Sequence, residues 1–226
     1  MKESYEFSPW INEDLEKLAV LTENFQPEKY RKNESLYSVC GKSEYIYIVV
    51  SGRIRVTAYH TSGKERQLYI AERGCIVGEI SALLNRIHNT TASAIVNSVV
   101  YKIPSSIFLK QLQQNHTISN VVMQMICRKH DILSNALLSS SFSQSASQIA
   151  RMLLNLADQY GEETEDGLRI GIRFTHQDIA NITGISRVTV SNCFNLFAEK
   201  GICGRINGSF MITDLDSLTE YSLIDE

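Results

Sequence analysis

Hydrophobic positions change rhythm along the chain. Up to about residue 26, Ile11, Leu15, Leu18 and Leu21 recur at helical spacing and predict a helical lead-in. From about 27 to 103 the apolar runs shorten to strand length. Ser35–Val39, Tyr45–Val50, Arg53–Tyr59 and Gln67–Ile70 read as strands, with Ile54, Val56 and Ala58 on one face. Ser62-Gly63 marks a hairpin, and Gly74–Gly78 and Ala92–Ile103 complete the set. Short strands at regular spacing predict a small sandwich or roll.

After Pro104 the period becomes helical. Ile118, Val122, Met125, Ile132 and Ala136 alternate spacings of three and four, with Lys129 alone interrupting the stripe. Ile126 and Leu133 widen it. With no internal Pro or Gly, residues 104–138 read as one long amphipathic helix. Core packing explains such a stripe; its coiled-coil-like spacing favours a dimer seam. The serine-rich stretch at 139–145 is placed as a hinge between a roll domain at 1–103 and a C-terminal domain at 146–226. Ala146–Tyr160 is helical again, with Ile149, Leu153, Leu156 and Ala157 on one face, and Gly161–Gly167 reads as an acidic turn.

The next stretch carries the clearest local signals. Thr175 is an N-cap and Asp178 the matching capping-box acid of a short helix, in which Ile179, Ala180 and Ile182 face inward. Gly184 supplies the positive φ of a tight turn. Ser186 caps a second helix that runs to about Lys200, where Gly201 stops it. Val190, Phe194 and Phe197 form its apolar stripe. Arg187, Val188, Ser191, Asn192 and Asn195 share the opposite face, which suits a helix lying in a DNA major groove. An amphipathic helix alone explains the stripe, but not Ala180, Gly184 and Val190 at these places with caps on both helices. Cys203–Ile206, Asn207-Gly208 and Ser209–Ile212 form a hairpin signal. The whole is a winged helix-turn-helix, with Arg205 in the wing directed at phosphate.

Charge agrees with that placement. The chain carries a net −3, yet Leu168–Ile212 holds five basic residues (Arg169, Arg173, Arg187, Lys200, Arg205) against two acidic ones (Asp178, Glu199). The five cysteines are scattered and contain no CxxC pair, which suits a reducing compartment. No apolar secretory segment or membrane-length run is present, so the expected location is cytoplasmic. No Gly-rich phosphate loop with Lys, no metal-spaced His/Cys set and no nucleophile–base arrangement points to an enzyme.

The ordered combination of roll, long helix and winged helix-turn-helix resembles the Crp/Fnr family of bacterial regulators. The matching segments are Tyr47–Gly52, Gly74–Ile80, Ile149–Ala157, Asp166-Gly167 and Thr175–Val190. The resemblance implies an α+β fold: an N-terminal double-stranded, jelly-roll-like β-roll, a long dimerisation helix, and a C-terminal winged helix-turn-helix. It implies a homodimer on double-stranded operator DNA, RNA polymerase as a partner, and a small-molecule effector in the roll. By the same resemblance Arg187 falls where family members read guanine, and Thr175, Gln177, Ser186 and Thr189 fall at backbone-contacting positions. His176 replaces an Arg common in cyclic-AMP-responsive relatives. Val188 replaces the usual Glu, and Asn192 the second Arg of the helix.

The effector segment departs further. The resemblance places an effector among Gly78, Glu79, Ile80, Ser81, Leu84, His88, Asn89, Thr90, Thr91, Leu133 and Ser134. Gly78-Glu79 matches, with Glu79 expected on a ribose hydroxyl. The phosphate-pairing Arg is missing: His88 or Asn89 stands there, followed by Thr90-Thr91, and Arg86 comes too early. Leu133-Ser134 replaces the adenine-reading pair. Cyclic AMP is therefore not the expected effector. An iron–sulfur cluster is not expected either, because residues 1–39 contain no Cys. Haem stays open through His60, His88, His116 or His130, and thiol sensing through Cys75 or Cys127. A small apolar or aromatic effector lined by Leu83, Leu84, Ile87 and Leu133 is the preferred expectation. The rival to DNA binding is a cyclic-nucleotide- or haem-binding module that regulates a protein partner.

Val188 suits a thymine methyl and Asn192 pairs bidentately with adenine. Selection from random duplexes should therefore recover an inverted repeat richer in A·T than the cyclic-AMP-receptor consensus. Recovery of a G-rich TGTGA-type half-site would refute this reading.

Overall fold

The strand-length segments of the N-terminal half pair into two sheets. The strands are β1 (Trp10–Ile11), β2 (Glu28–Tyr30), β3 (Ser35–Tyr37), β4 (Tyr45–Ser51), β5 (Ile54–Tyr59), β6 (Glu65–Ala71), β7 (Ile76–Val77), β8 (Thr91–Ala94) and β9 (Ser98–Pro104). One sheet has the order β1-β6-β5-β8-β3 and the other β2-β9-β4-β7. The computed structural model describes residues 8–61, 63, 65–142, 144–206 and 209–223, without the side chains of 138–142. The chain divides into two compact units, Pro9–Ile132 and one containing Leu133–Glu226. None of the helices among the described residues is long and apolar enough to cross a membrane.

Pairing overrides local rhythm at two places in the roll. The helical lead-in holds only for a 3-10 turn at Leu15–Leu18 and the short α1 (Ala19–Thr22), which bury Leu18 and Leu21. Ile11 instead lies in β1, beside Trp10, parallel to β6. Backbone hydrogen bonds to β6 outweigh a four-residue apolar period in so short a segment. In β5 the register against β6 shifts between Val56 and Thr57. Ile54 and Val56 are buried as expected, but Thr57 joins them and Ala58 is only half-buried. A bulge adds one residue and turns the following side chains to the other face.

The helical region after Pro104 is two helices rather than one. The helix α2 (Glu79–Leu83) lies between β7 and β8, and α3 (Ser105–Gln114) and α4 (His116–Phe142) follow β9. Asn115 is extended, and its Oδ1 accepts from the backbone N–H of Thr117 and Ile118. The break is thus an N-cap for α4. Ile118, Val121, Val122 and Met125 are buried in the same core as Ile46, Ile48, Ile54 and Ile103. The stripe expected as a dimer seam is, over this stretch, the face that closes the roll. Among the described side chains of α4, the large apolar ones left exposed are Met123, Leu133 and Leu137. The helix also continues through the serine-rich stretch to Phe142, since no Gly or Pro interrupts it.

The second unit packs helices against a third sheet. It contains α5 (Ser145–Tyr160), β10 (Gly161–Thr164), β11 (Gly167–Ile170), α6 (His176–Thr183), α7 (Arg187–Glu199), β12 (Cys203–Ile206), β13 (Ser209–Ile212) and α8 (Leu215–Leu223). The sheet order is β10-β11-β13-β12. The expected acidic turn is therefore largely strand, with its bend at Glu165-Asp166. Ile149, Leu153, Leu156 and Ala157 of α5 are buried, as their spacing predicts. The Asn207-Gly208 tip and Ser62 lie outside the described residues.

Gly74 and Gly63 separate backbone strain from steric clash. Both have positive φ, +79 and +80. A Cβ at Gly74 would sit 1.9 Å from the Glu13 carbonyl oxygen, whereas nothing lies within 4 Å of one at Gly63. Gly63→Ala should cost about 1 kcal/mol of unfolding free energy. Gly74→Ala should cost at least about 1 kcal/mol more, because backbone must move. Urea denaturation of both variants measures the difference, and equal losses would contradict it.

Candidate nucleic-acid interface and effector segment

Local hydrogen bonds set where α6 and α7 begin and where α6 ends. The Thr175 hydroxyl accepts from the Asp178 N–H at 3.1 Å, and the Thr175 N–H donates to Asp178 Oδ2 at 2.8 Å. This reciprocal box satisfies two backbone donors at the start of α6. Gly184 ends the helix at φ +76, its N–H donating to Ala180 O at 2.8 Å. Ser186 Oγ then accepts from the Thr189 N–H at 3.1 Å and starts α7. Val190, Cys193, Phe194 and Phe197 bury one face of α7. Arg187, Val188, Asn192 and Asn195 are exposed on the other, and Ser191 and Thr189 are half-buried. Val188 is 71% exposed, an apolar side chain held in water by the register of its helix.

An aromatic column stiffens this surface from behind. Phe174 and Phe194 each pack on Phe210 with ring centroids 5.2 Å apart. His176 stacks on Phe194 at 4.7 Å and 22°, and its Nδ1 lies 2.9 Å from Ser191 Oγ. Burial, with the charges of Arg205 and Arg187, holds the His176 pKa below its ordinary 6.5. Ser191 and His176 were both expected to meet DNA; the structure spends part of their hydrogen-bonding capacity on each other. Arg205 donates to Phe174 O at 3.3 Å while staying exposed. Gln177 is exposed and donates to Asn181 Oδ1 at 2.7 Å. Thr175 and Ser186 are exposed caps. Arg187, Val188, Asn192, Asn195, Gln177 and Arg205 are thus all exposed on this one unit.

The effector segment has a different character from the one expected. Gly78 adopts φ +90 and starts α2, which begins with Glu79. Glu79 is 1% exposed, and its Oε1 pairs with Lys129 Nζ at 2.7 Å. The same ammonium donates to Ile76 O at 2.6 Å and lies 4.9 Å from the Tyr69 ring centroid. His88 is 2% exposed and stacks on Tyr37 at 3.9 Å and 17°. Burial lowers its pKa below 6.5, against an opposing pull from Glu79. The positions that the resemblance assigns to ribose and phosphate therefore hold a carboxylate already paired and a neutral ring. Thr90 Oγ1 lies 3.5 Å from the Tyr37 hydroxyl, and Thr91 Oγ1 accepts from the Val39 N–H. Ser81 is buried, Ile80 half-buried and Asn89 exposed. Leu83, Leu84 and Ile87 are exposed rather than lining an apolar site. Leu133 and Ser134 belong to the other unit.

Lys129 and Tyr37 were missed as members of this segment. Lys129 did leave a signal, since a charge inside an apolar stripe must find a partner when the stripe is buried. Thiol chemistry at Cys75 is disfavoured, because burial pushes its pKa up to about 12. Among the described residues no group of three or more His, Cys, Asp or Glu is placed to hold a metal ion.

Comparison with known proteins agrees with both halves. Residues 27–115 match the cyclic nucleotide-binding domain model, and residues 147–221 match the Crp-like helix-turn-helix domain model. The chain is 23% identical over 201 residues to the CRP-like cAMP-activated global transcriptional regulator of Mycobacterium tuberculosis, covering 89% of this chain and 90% of that one. It is 24% identical to the cyclic AMP receptor protein of Thermus thermophilus, over 88% of both chains. Among solved structures, a CooA mutant from Carboxydothermus hydrogenoformans superposes with TM-score 0.77 at 23% identity, over 93% of this chain and 96% of that one. FixK2 from Bradyrhizobium japonicum gives 0.75 at 19%, over 88% and 98%. With a cyclic-nucleotide-binding-type roll, a long helix and a Crp-like helix-turn-helix in this order, the chain belongs to the Crp/Fnr family of DNA-binding transcriptional regulators.

Proposed function

We propose that this regulator acts as a homodimer on an inverted-repeat operator, with α7 of each protomer in the major groove. One observation carries the reading: α7 buries Val190, Phe194 and Phe197 and exposes Arg187, Val188, Asn192 and Asn195. A helix with that exposed face and a capped, rigid entry presents bidentate donors to base edges. Thr175, Gln177, Ser186, Thr189 and His176 surround it as candidate phosphate contacts, with Arg205 on the neighbouring strand. Two half-sites about 34 Å apart would match the two-fold symmetry. The exposed Met123, Leu133 and Leu137 of α4 are the side chains we assign to the protomer–protomer seam. The expected site of action is the cytoplasm, with RNA polymerase as the partner that reads the bound regulator.

The roll is proposed to respond to something other than cyclic AMP. No arginine stands at the phosphate position, and Glu79 is engaged by Lys129. A desolvated cyclic phosphate would lack its charge-assisted partner. The competing reading, a sensor module that controls a protein partner without DNA, gives Arg187 no role.

Arg187→Ala should weaken operator binding by about 1–3 kcal/mol per half-site and leave the melting temperature unchanged. Fluorescence anisotropy with the selected duplex measures this; undiminished affinity would overturn the assignment of α7. Affinity should also fall linearly in a plot of log K against log salt concentration. His176 adds a pH dependence. Its pKa is held low in the unbound protein, and a neighbouring phosphate would raise it, so the complex takes up a proton. Affinity should therefore rise as pH falls from about 8 to about 6, and His176→Gln should flatten that rise.

A further inference from the structure

The long helix is fastened to the roll by a polar clamp on one peptide unit. Met125 Sδ accepts from the Ile76 N–H at 3.2 Å, and Lys129 Nζ donates to Ile76 O at 2.6 Å. Met125 and Lys129 are one helical turn apart, so α4 holds both polar groups of residue 76 from the same face. The Lys129 ammonium continues to Glu79 Oε1 at 2.7 Å, at the first residue of α2. Lys129 is 3% exposed. Glu79 Oε2 is buried with no protein partner, so the pairing rests wholly on Oε1. Rotating α4 by one residue, about 100°, would break every one of these contacts at once.

A buried ion pair of this kind adds little net stability compared with a well-packed apolar pair. Its distinct property is direction: a single ammonium satisfies a carboxylate, a carbonyl and an aromatic face in one geometry. The pair also ties up one oxygen of the carboxylate that a ligand hydroxyl would need. We propose that Lys129 is a tethered cation standing in for an effector, so that the unliganded protein is the DNA-competent form and a ligand reaching Glu79 releases α4. This rests on the DNA-binding reading above and gives it a polarity: ligand entry lowers operator affinity. Neither His88, stacked and neutral, nor exposed Asn89 supplies a charge that would replace Lys129 at Glu79.

The test uses the full-length protein, the selected duplex and Arg187→Ala as the control. Wild type should bind the operator without nucleotide, and about 1 mM cyclic AMP or cyclic GMP should change affinity less than about twofold. Lys129→Ala should bind about tenfold more weakly, and propylammonium chloride should restore much of that loss, against sodium chloride at the same concentration. Where Lys129→Ala is too unstable, the double variant Glu79→Gln with Lys129→Met leaves no buried charge unpaired. It should fold with a melting temperature near that of wild type yet bind the operator about tenfold more weakly. Three results would overturn the proposal alone: a nucleotide that raises wild-type affinity about tenfold or more, a double variant that binds like wild type, or no rescue beyond sodium chloride. If wild type prefers no duplex over the Arg187→Ala control, with or without nucleotide, the DNA-binding reading fails first and takes the clamp with it.

Discussion

Glu79 and Lys129 place opposite charges where water hardly reaches, and the arrangement of the roll follows from keeping them together. Either group alone in that position would face a desolvation cost of several kcal/mol. The ammonium therefore has to sit against α2 and β7, and α4 has to present it there. The apolar residues Ile118, Val122 and Met125 then fall into the core on the same helical face. Hydrophobic burial supplies most of the attraction between α4 and the roll, but it is non-directional. The ion pair and the two hydrogen bonds to Ile76 select one rotation of the helix.

The helix-turn-helix unit solves a different problem. Its α7 must expose Val188 and a row of polar side chains without losing its position. The buried stripe, the caps at Thr175 and Ser186, and the ring column of His176, Phe194, Phe210 and Phe174 fix that helix from the side away from solvent. The helix α8 adds support on α5, where the Ser147 hydroxyl and Arg151 Nε both donate to Ser222 O. The exposed face of α7 is thus held from its crowded reverse side, and its side chains stay available because the structure needs little from them. Ser191 and His176 are partly committed to each other, Gln177 to Asn181 and Arg205 to the Phe174 carbonyl.

The two units differ in how far family chemistry carries. In the helix-turn-helix unit the departures, Val188 and Asn192, both lie exposed on α7. In the roll His88 stands in place of a charged group and stacks on Tyr37, while Glu79, which matches the family, is paired with Lys129. A match to a cyclic nucleotide-binding domain therefore describes the fold of residues 27–115 and not the occupant of its ligand segment.

Features built from neighbouring residues could be read directly from the order of side chains along the chain. The capping box at Thr175 and Asp178, the left-handed Gly184, the Ser186 cap and the α7 stripe each depend on residues within about one turn. Their spacing along the chain is their spacing in the structure, and so Arg187 and its companions were legible. Tertiary structure decided whatever depends on distant partners. Ile11 joined a strand because β6 offered it hydrogen bonds. Over Ile118–Met125 the face of α4 read as a dimer seam went into the core because the roll needed closing. Lys129 was visible as an interruption, but its meaning lay with Glu79, 50 positions away. A buried charge announces that it needs a partner, and only the fold names which one.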